Sequence, residues 1–269
     1  MTLKEAISAL EAAGVPNPRL DARLIFSEIG RVPRHLLVFA DTECSSFEVT
    51  EAINRRANRE PLQYIIGEVG FYRERYKVCA DCLIPREDTE ILVELATKNI
   101  PRGARFLDLC TGSGCVAISV LKNTEDTTSL GVDISAPALS LARENARLNG
   151  VDSRLDLLRL DVLNSVAEGE FFAVLSNPPY VRENTYEELE PEIYFEPREA
   201  FVGGEDGLDF YRAITKGYKN SITDGGFLAF EIGFDQGDAL RKIAEENSMS
   251  AEIITDLSGK DRVALLRKH

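Results

Sequence analysis

The sequence predicts a doubly wound α/β sheet placed behind a small helical bundle, on three observations. Apolar residues over 1–60 recur at helical spacing, as in Leu3, Ile7, Leu10 and again in Leu20, Leu24, Ile25. From residue 104 onward short apolar runs alternate with amphipathic stretches, the pattern of parallel strands joined by crossover helices. Near the end only Asp256 to Asp261 separates the last two apolar runs, which leaves no room for a helix. Those two strands therefore pair as an antiparallel hairpin.

The 269 residues suit a small domain followed by a larger one. We expect residues 1–60 to form a helical domain, 61–85 a β-hairpin linker and 86–269 the α/β domain. In the first, Gly14, Pro16 and Pro18 separate two helices and Pro33 starts a short third. Ser45 or Ser46 can cap a helix through Val49, Ile53 and Ala57, with Glu48 placed for a capping box. Residues 61–85 are rich in strand formers (Tyr64, Ile65, Ile66, Val69, Phe71, Tyr72, Tyr76, Val78), with Arg73-Glu74-Arg75 as a charged turn. Pro85 ends this stretch, and Asp88 or Thr89 opens a helix. Seven strands follow, at 105–109, 129–133, 155–160, 172–176, 226–232, 251–255 and 262–266. Helices are expected near 114–122, 135–149, 205–219 and 235–247.

No run approaches the ~20 apolar residues of a membrane span, and Lys4, Glu5 and Glu11 interrupt any secretory signal. A cytoplasmic protein is expected. The net charge is −14, of which residues 76–269 carry −13 and residues 1–75 only −1. Such a field repels a phosphate backbone and attracts a basic protein, so direct DNA or membrane binding is not expected. Five cysteines without a secretion signal read as reduced thiols. Cys79 and Cys82 form a lone C-x-x-C; with only His35 and His269 available elsewhere, no metal site is expected.

The chemistry concentrates at two strand ends. Asp108-Leu109-Cys110-Thr111-Gly112-Ser113-Gly114 is a strand, a glycine turn and a helix start, and Asp133 ends the next strand. Glycines let a ligand approach the backbone, the helix start offers free N–H groups, and a carboxylate at that strand end can accept from both ribose hydroxyls. Taken alone this fits a dinucleotide, S-adenosylmethionine, or a fold that has lost its activity. The fourth strand decides: it ends in Ser176-Asn177-Pro178-Pro179-Tyr180. Prolines fix the backbone and remove donors, so the Pro178 carbonyl and the Asn177 side-chain oxygen can each accept one hydrogen of a target NH₂ group. Tyr180 offers a flat face for a planar group. Positioning of this kind suits in-line methyl transfer to a poorly nucleophilic amide or amino nitrogen.

With these residues in view the chain resembles the bacterial release-factor glutamine methyltransferases, the N5-glutamine class of protein methyltransferases. The resemblance rests on Ile84-Pro85-Arg86-Glu87-Asp88-Thr89-Glu90, the glycine loop, Asp133, Asn177 to Tyr180, Phe195-Glu196-Pro197-Arg198, and Glu231-Ile232-Gly233 with Gln236. It implies a class I S-adenosylmethionine-dependent methyltransferase fold: Rossmann-like, with a mostly parallel seven-stranded sheet and an antiparallel last strand. It also implies methylation of the glutamine in the Gly-Gly-Gln loop of class I peptide chain release factors, with S-adenosylhomocysteine as product. Cys110, Thr111, Gly112, Ser113 and Gly114 would hold the methionine part of the cofactor, Asp133 the ribose, and Asp161 and Val162 the adenine. Asn177, Pro178, Pro179 and Tyr180 would grip the glutamine, with Asn177 also beside the cofactor, and the helical domain would dock the partner. The chain departs from the pattern at Cys110, where the family usually has Gly, and at Val162, where an aromatic is common. The exocyclic amino group of a DNA or rRNA base is the alternative acceptor. Glu231 is a candidate to face the site, Arg86 and Arg198 read as structural ion-pair partners, and Glu183 to Glu199 reads as a solvated acidic loop.

Overall fold

Helix α1 (Leu3–Ala12) starts at Thr2, whose hydroxyl accepts from the Glu5 amide while the Glu5 carboxylate accepts from the Thr2 amide. This reciprocal cap satisfies two N–H groups that a helix start otherwise leaves bare. In the computed structural model, which describes residues 1–268, the chain divides into two units, and His269 lies outside the described residues.

One unit is Met1–Glu68 with the short segment Glu190–Phe195. It holds α1, α2 (Pro18–Glu28), α3 (Phe47–Ala57) and α4 (Leu62–Ile66), packed around Leu3, Leu10, Ile25, Phe26, Val49 and Ile53. The periodicity of α2 is set by Ala22, Ile25 and Phe26; Leu20, expected on that face, points to solvent. Ser46 caps α3, which puts Glu48 one position too early for a capping box, and the Ser46 hydroxyl donates to Glu48 instead. Residues 62–66 form α4 rather than the expected strand. Pro61 opens this single turn and Gly67, at φ +85°, closes it, and these flanks override the β-branched pair Ile65-Ile66.

The Glu-rich run is not simply a solvated loop. It folds into three 3₁₀ turns, Glu183–Glu188, Pro191–Phe195 and Arg198–Ala200. Within the helical unit Glu192 accepts from buried Arg56 at 3.0 Å and from Arg59 at 2.6 Å, while Arg56 also donates to Asp21 at 2.7 Å.

The other unit is Val69–Leu189 with the chain from Glu196 onward. A two-stranded ribbon, β1 (Glu68–Phe71) and β2 (Glu74–Lys77), turns at Tyr72-Arg73, with Tyr72 at φ +56°; the expected turn residues Glu74 and Arg75 lie in β2. After α5 (Glu90–Asn99) come β3 (Arg105–Leu109), α6 (Cys115–Lys122), β4 (Thr128–Asp133), α7 (Ala136–Leu148), β5 (Leu155–Arg159) and β6 (Phe171–Ser176). Then follow α8 (Asp209–Tyr218), β7 (Ile222–Glu231), α9 (Gly237–Glu246), β8 (Met249–Thr255) and β9 (Asp261–Lys268). Helix α8 starts at Asp209 rather than near 205 because Gly207, at φ +75°, interrupts the approach.

The seven strands run in the order β5-β4-β3-β6-β7-β9-β8. All neighbours pair parallel except β9, which is antiparallel to both β7 and β8. Alternate residues feed the two faces: Phe106 packs with α5 and α6, whereas Leu107 and Leu109 pack with Tyr211 and Tyr218 of α8 and Leu240 of α9. The chain winds outward from β3 through β4 to β5, then returns past β3 to β6. The switch point between β3 and β6 opens a crevice at their carboxyl ends, where ligands bind in this architecture.

Candidate active site at the switch point of the sheet

The loop after β3 is built around Asp108, which is 1% exposed. Its Oδ2 accepts from the Thr111 hydroxyl at 2.6 Å and from the Ala117 amide at 3.2 Å, tying the loop to the start of α6. Burial pushes its carboxyl up to about 7, with the two hydrogen bonds pulling the other way. Gly114 stands at φ +80°, and a Cβ there would lie 2.9 Å from Ile118 Cδ1 and 3.2 Å from Ala142 Cβ, so only glycine allows this turn and this approach of α7 to α6. Cys110 sits at φ +57°, a left-handed position that favours glycine. That is the physical meaning of the sequence departure at this residue.

Asp133 ends β4 and points back at the loop. Its Oδ2 accepts from the Gly112 amide at 2.8 Å and its Oδ1 from the Ser135 amide at 2.9 Å, and burial raises its pKa. A carboxylate has about four acceptor positions, so room remains for two ligand hydroxyls. Asp161 is committed to its own turn, accepting from the Leu163 amide at 3.0 Å and Asn164 Nδ2 at 2.7 Å. Next to it Val162 is buried.

These groups surround a cavity of about 570 Å³, within the usual range for small-molecule sites. Cys110, Gly112, Asp133, Asp161, Val162, Asn177 and Pro179 all line it. Other expected residues sit behind its wall. Thr111 spends its hydroxyl on Asp108, Ser113 is buried with no partner for its Oγ among the described residues, Gly114 starts α6, and Pro178 is buried. Sequence reasoning missed Asp81–Leu83, Ile134, Ser135, Ala138 and most of the stretch Pro197–Gly204, which also line the cavity. Ile134 and Ser135 follow directly on Asp133 and were findable from that strand end; the others come close only by folding.

The loop after β6 is held from several sides. Asn177 Nδ2 donates to Thr89 Oγ1 at 3.1 Å, which leaves the Asn177 oxygen uncommitted beside the cavity. Thr89 opens α5 from its N-cap position, as expected, but its hydroxyl makes no cap bond there. Tyr180 is away from the cavity wall, and its hydroxyl donates to Glu231 Oε1 at 3.3 Å. Gln236 Nε2 donates to the Tyr180 carbonyl at 3.0 Å and the Gly207 carbonyl at 3.3 Å, while its Oε1 accepts from the Gly233 amide at 2.8 Å. The quoted Glu231-Ile232-Gly233 with Gln236 is thus the clamp on this loop. A Cβ on Gly203 would lie 2.3 Å from the Pro179 carbonyl oxygen, so the acidic loop returns against the same segment. Glu196, nine-tenths buried, accepts from the Ile84 amide at 2.8 Å and from Arg86, joining two further quoted motifs. Arg198 pairs with Glu183 at 2.9 Å.

Among the described residues no helix is long and apolar enough to cross a membrane. The methyltransferase small domain family matches residues 87–194, and the PrmC N-terminal domain family matches residues 2–67. A release factor glutamine methyltransferase of Thermodesulfovibrio yellowstonii is 38% identical over 92% of each chain. That of Caulobacter vibrioides is 36% identical over 98% of this chain and 96% of its own. Among solved structures, a ribosomal protein L11 methylase of Lactobacillus delbrueckii shares the fold, with TM-score 0.51 and 21% identity over 69% of this chain and 81% of that one. With the crevice, the glycine loop and the Asn-Pro-Pro-Tyr loop in place and full-length relatives at these identities, the chain belongs to the release factor glutamine methyltransferase family of S-adenosylmethionine-dependent enzymes.

Proposed function

We propose that this chain methylates the side-chain amide nitrogen (N5) of the glutamine in the Gly-Gly-Gln loop of class I peptide chain release factors, leaving S-adenosylhomocysteine, without a metal. The observation that carries this reading is the Asn177 carboxamide, whose nitrogen is taken by Thr89 and whose oxygen is left free at the cofactor cavity.

The cavity fits the cofactor. Gly112 has no atom within 4 Å of where a Cβ would stand, so the ligand can approach the backbone, and Asp133 keeps acceptor capacity for a ribose. Val162, Ile134 and Leu163 offer apolar surface for adenine, and Cys110 and Gly112 border the methionine end. When bound, S-adenosylmethionine supplies an electrophilic methyl group on a sulfonium.

An amide nitrogen is weakly nucleophilic because its lone pair is delocalised into the carbonyl. Asn177 Oδ1 and the Pro178 carbonyl accept its two N–H bonds and so orient the lone pair at the methyl carbon. They also stabilise the positive charge that develops on nitrogen as the N–C bond forms and the C–S bond breaks. One N–H proton then leaves to solvent. Pro179 keeps the loop rigid, and Tyr180, held by Glu231, is the flat face for the incoming amide, which enters beside the cofactor cavity rather than within it. We further propose that residues 1–60 dock the partner, 61–85 link and 86–269 catalyse. Exposed Phe39 and Phe47 support the docking role, at 62% and 76% exposed. The reaction belongs in the cytoplasm, where translation terminates.

The test is methyl transfer from labelled S-adenosylmethionine to a purified class I release factor, beside a copy whose loop glutamine is alanine. Label on the first alone establishes reaction and acceptor. Label only on DNA or rRNA means the same chemistry serves a nucleobase amino group.

A further inference from the structure

Gln236 stands at the start of α9 and is 4% exposed. A carboxamide has two N–H donors and two acceptor lone pairs, and here all four are engaged. Its Nε2 donates to the carbonyls of Tyr180 at 3.0 Å and Gly207 at 3.3 Å. Its Oε1 accepts from the Gly233 amide at 2.8 Å and from the Tyr211 hydroxyl at 3.2 Å, whose proton it shares with the Glu231 carbonyl at 2.9 Å. Turned over, the side chain would set its oxygen against two carbonyls and its NH₂ against an N–H, so only one orientation is allowed.

The two carbonyls that Gln236 holds belong to segments with different neighbours. Tyr180 closes the Asn-Pro-Pro-Tyr loop. Gly207 ends a segment whose Val202, Gly203 and Gly204 line the cofactor cavity. Three backbone bonds zip the same two segments together. The Val181 amide donates to the Phe201 carbonyl at 2.8 Å, the Gly203 amide to the Val181 carbonyl at 2.9 Å and the Glu183 amide to the Gly204 carbonyl at 3.1 Å. A Cβ on Gly207 would overlap the Tyr180 carbonyl oxygen, so this approach needs glycine. Pro178 and Pro179 have no N–H with which to anchor the loop from within. The loop is therefore pinned at its ends, at the front by Asn177 on Thr89 and at the rear by Gln236 on Tyr180.

We propose that Gln236 is a positioning residue for methyl transfer: by gripping the Tyr180 carbonyl it holds the rear of the acceptor loop against the segment that walls the cofactor cavity. Gln236 does not itself line that cavity. It acts through Tyr180, whose ring and whose neighbour Pro178 keep their distance from the methyl donor only while the carbonyl is held. The wall keeps its three backbone bonds without Gln236, so loss of the side chain leaves the cofactor seated and lets the acceptor drift. Misplacement by about 1 Å is enough to cost about 100-fold in rate.

This inference rests on the methyl-transfer reading above, and its test separates the two. Gln236→Glu keeps the shape and the Oε1 acceptor but sets a second oxygen against the Tyr180 and Gly207 carbonyls. Around this position stand Tyr180, Tyr211, Glu231 and, behind Gly237, Asp261. None of these is a cation, so the new buried carboxyl should hold its proton into the neutral range and donate it to the Tyr180 carbonyl. Methyl transfer to a purified class I release factor is measured for wild type, Gln236→Glu and Gln236→Met, with active sites counted by calorimetric cofactor binding. Relative to wild type at the same pH, which removes the titration of Asp108 and Glu231, Gln236→Glu should lose about 10- to 100-fold in kcat per site at pH 8. It should recover to within about 5-fold at pH 6, when the protonated acid restores one donor. Gln236→Met should stay low at both, and cofactor affinity should remain within about 2-fold throughout. The Tyr180 ring signals of the ¹³C-tyrosine-labelled full chain, assigned by their loss in Tyr180→Phe, should shift or broaden in Gln236→Met and in Gln236→Glu at pH 8. Wild-type kcat per site in Gln236→Met, unmoved Tyr180 signals, or a Gln236→Glu loss that acid does not reverse overturns the proposal. If Gln236→Glu fails to fold, Gln236→Met, which buries no charge, decides by kcat per site and by the ring signals. The ring signals need no acceptor, so they decide the clamp even if wild type leaves the release factor unlabelled, which would overturn the function reading instead.

Discussion

Two buried carboxylates underlie the two loops of the site, and they are built differently. Asp108 lies beneath the glycine loop and Glu231 beneath the Asn-Pro-Pro-Tyr loop; burial pushes both up to about 7. Asp108 takes its hydrogen bonds from residues three and nine positions along the same strand–loop–helix. Glu231 takes its bond from Tyr180, 51 residues away in sequence, and its Oε2 has no partner among the described residues. The first is a local scaffold that shapes a ligand cradle. The second is a non-local acceptor whose incomplete satisfaction leaves it responsive to what its neighbours do.

The sharpest break in this comparison is at Asn177. Asn177→Ala should lower kcat by about 100-fold or more, with cofactor affinity measured by calorimetry within about 2-fold, because in the proposed mechanism the lost contact is made to the reacting nitrogen. Asp108→Ala should do the reverse. It strands the Thr111 hydroxyl and the Ala117 amide, at about 1–3 kcal/mol for a buried group left unpaired, so the melting temperature and cofactor affinity should fall together. A normal cofactor affinity in Asp108→Ala would show that the cradle does not depend on its carboxylate.

A weaker effect comes from pH. Both carboxyls hold their protons to higher pH in the folded chain than in the unfolded one. Their contribution to stability is therefore complete below the ordinary carboxylate range and is lost as pH rises through about 7. Melting curves at pH 6 and pH 8 should show this loss in wild type, and Asp108→Asn should shrink it. Ser113→Ala should have the smallest effect. The Ser113 Oγ is buried without a hydrogen-bond partner among the described residues, so removing it should leave stability within about 0.5 kcal/mol, or slightly improved, in a denaturant titration.

The order of strands and helices in residues 104–268 was legible because parallel strands buried on both faces read as short apolar runs. Errors clustered where flanking residues outrank local propensity. Tyr64-Ile65-Ile66 reads as a strand and forms a helical turn between Pro61 and Gly67. Leu20 reads as core and is exposed, because Ala22, Ile25 and Phe26 set the buried face of α2. At the site, Cys110, Gly112, Asp133, Asp161, Val162, Asn177 and Pro179 were all named from sequence and all line one cavity. Thr89 reads correctly as a helix start, but that its hydroxyl takes the Asn177 nitrogen was not legible, since Asn177 is 88 residues away.

The sequence alone determined the α/β class, the antiparallel end of the sheet, the two strand ends that meet at the cavity, and the acidic charge of the larger part. Each is written in neighbouring residues, through periodicity, glycine and proline placement, or simple counting. Only the tertiary structure decided that Glu196 joins Arg86 and Ile84, that Gln236 clamps Tyr180, and that Thr89 takes the Asn177 nitrogen. Those pairings follow from the doubly wound sheet, which brings the carboxyl ends of β3, β6 and β7 side by side whatever their distance along the chain.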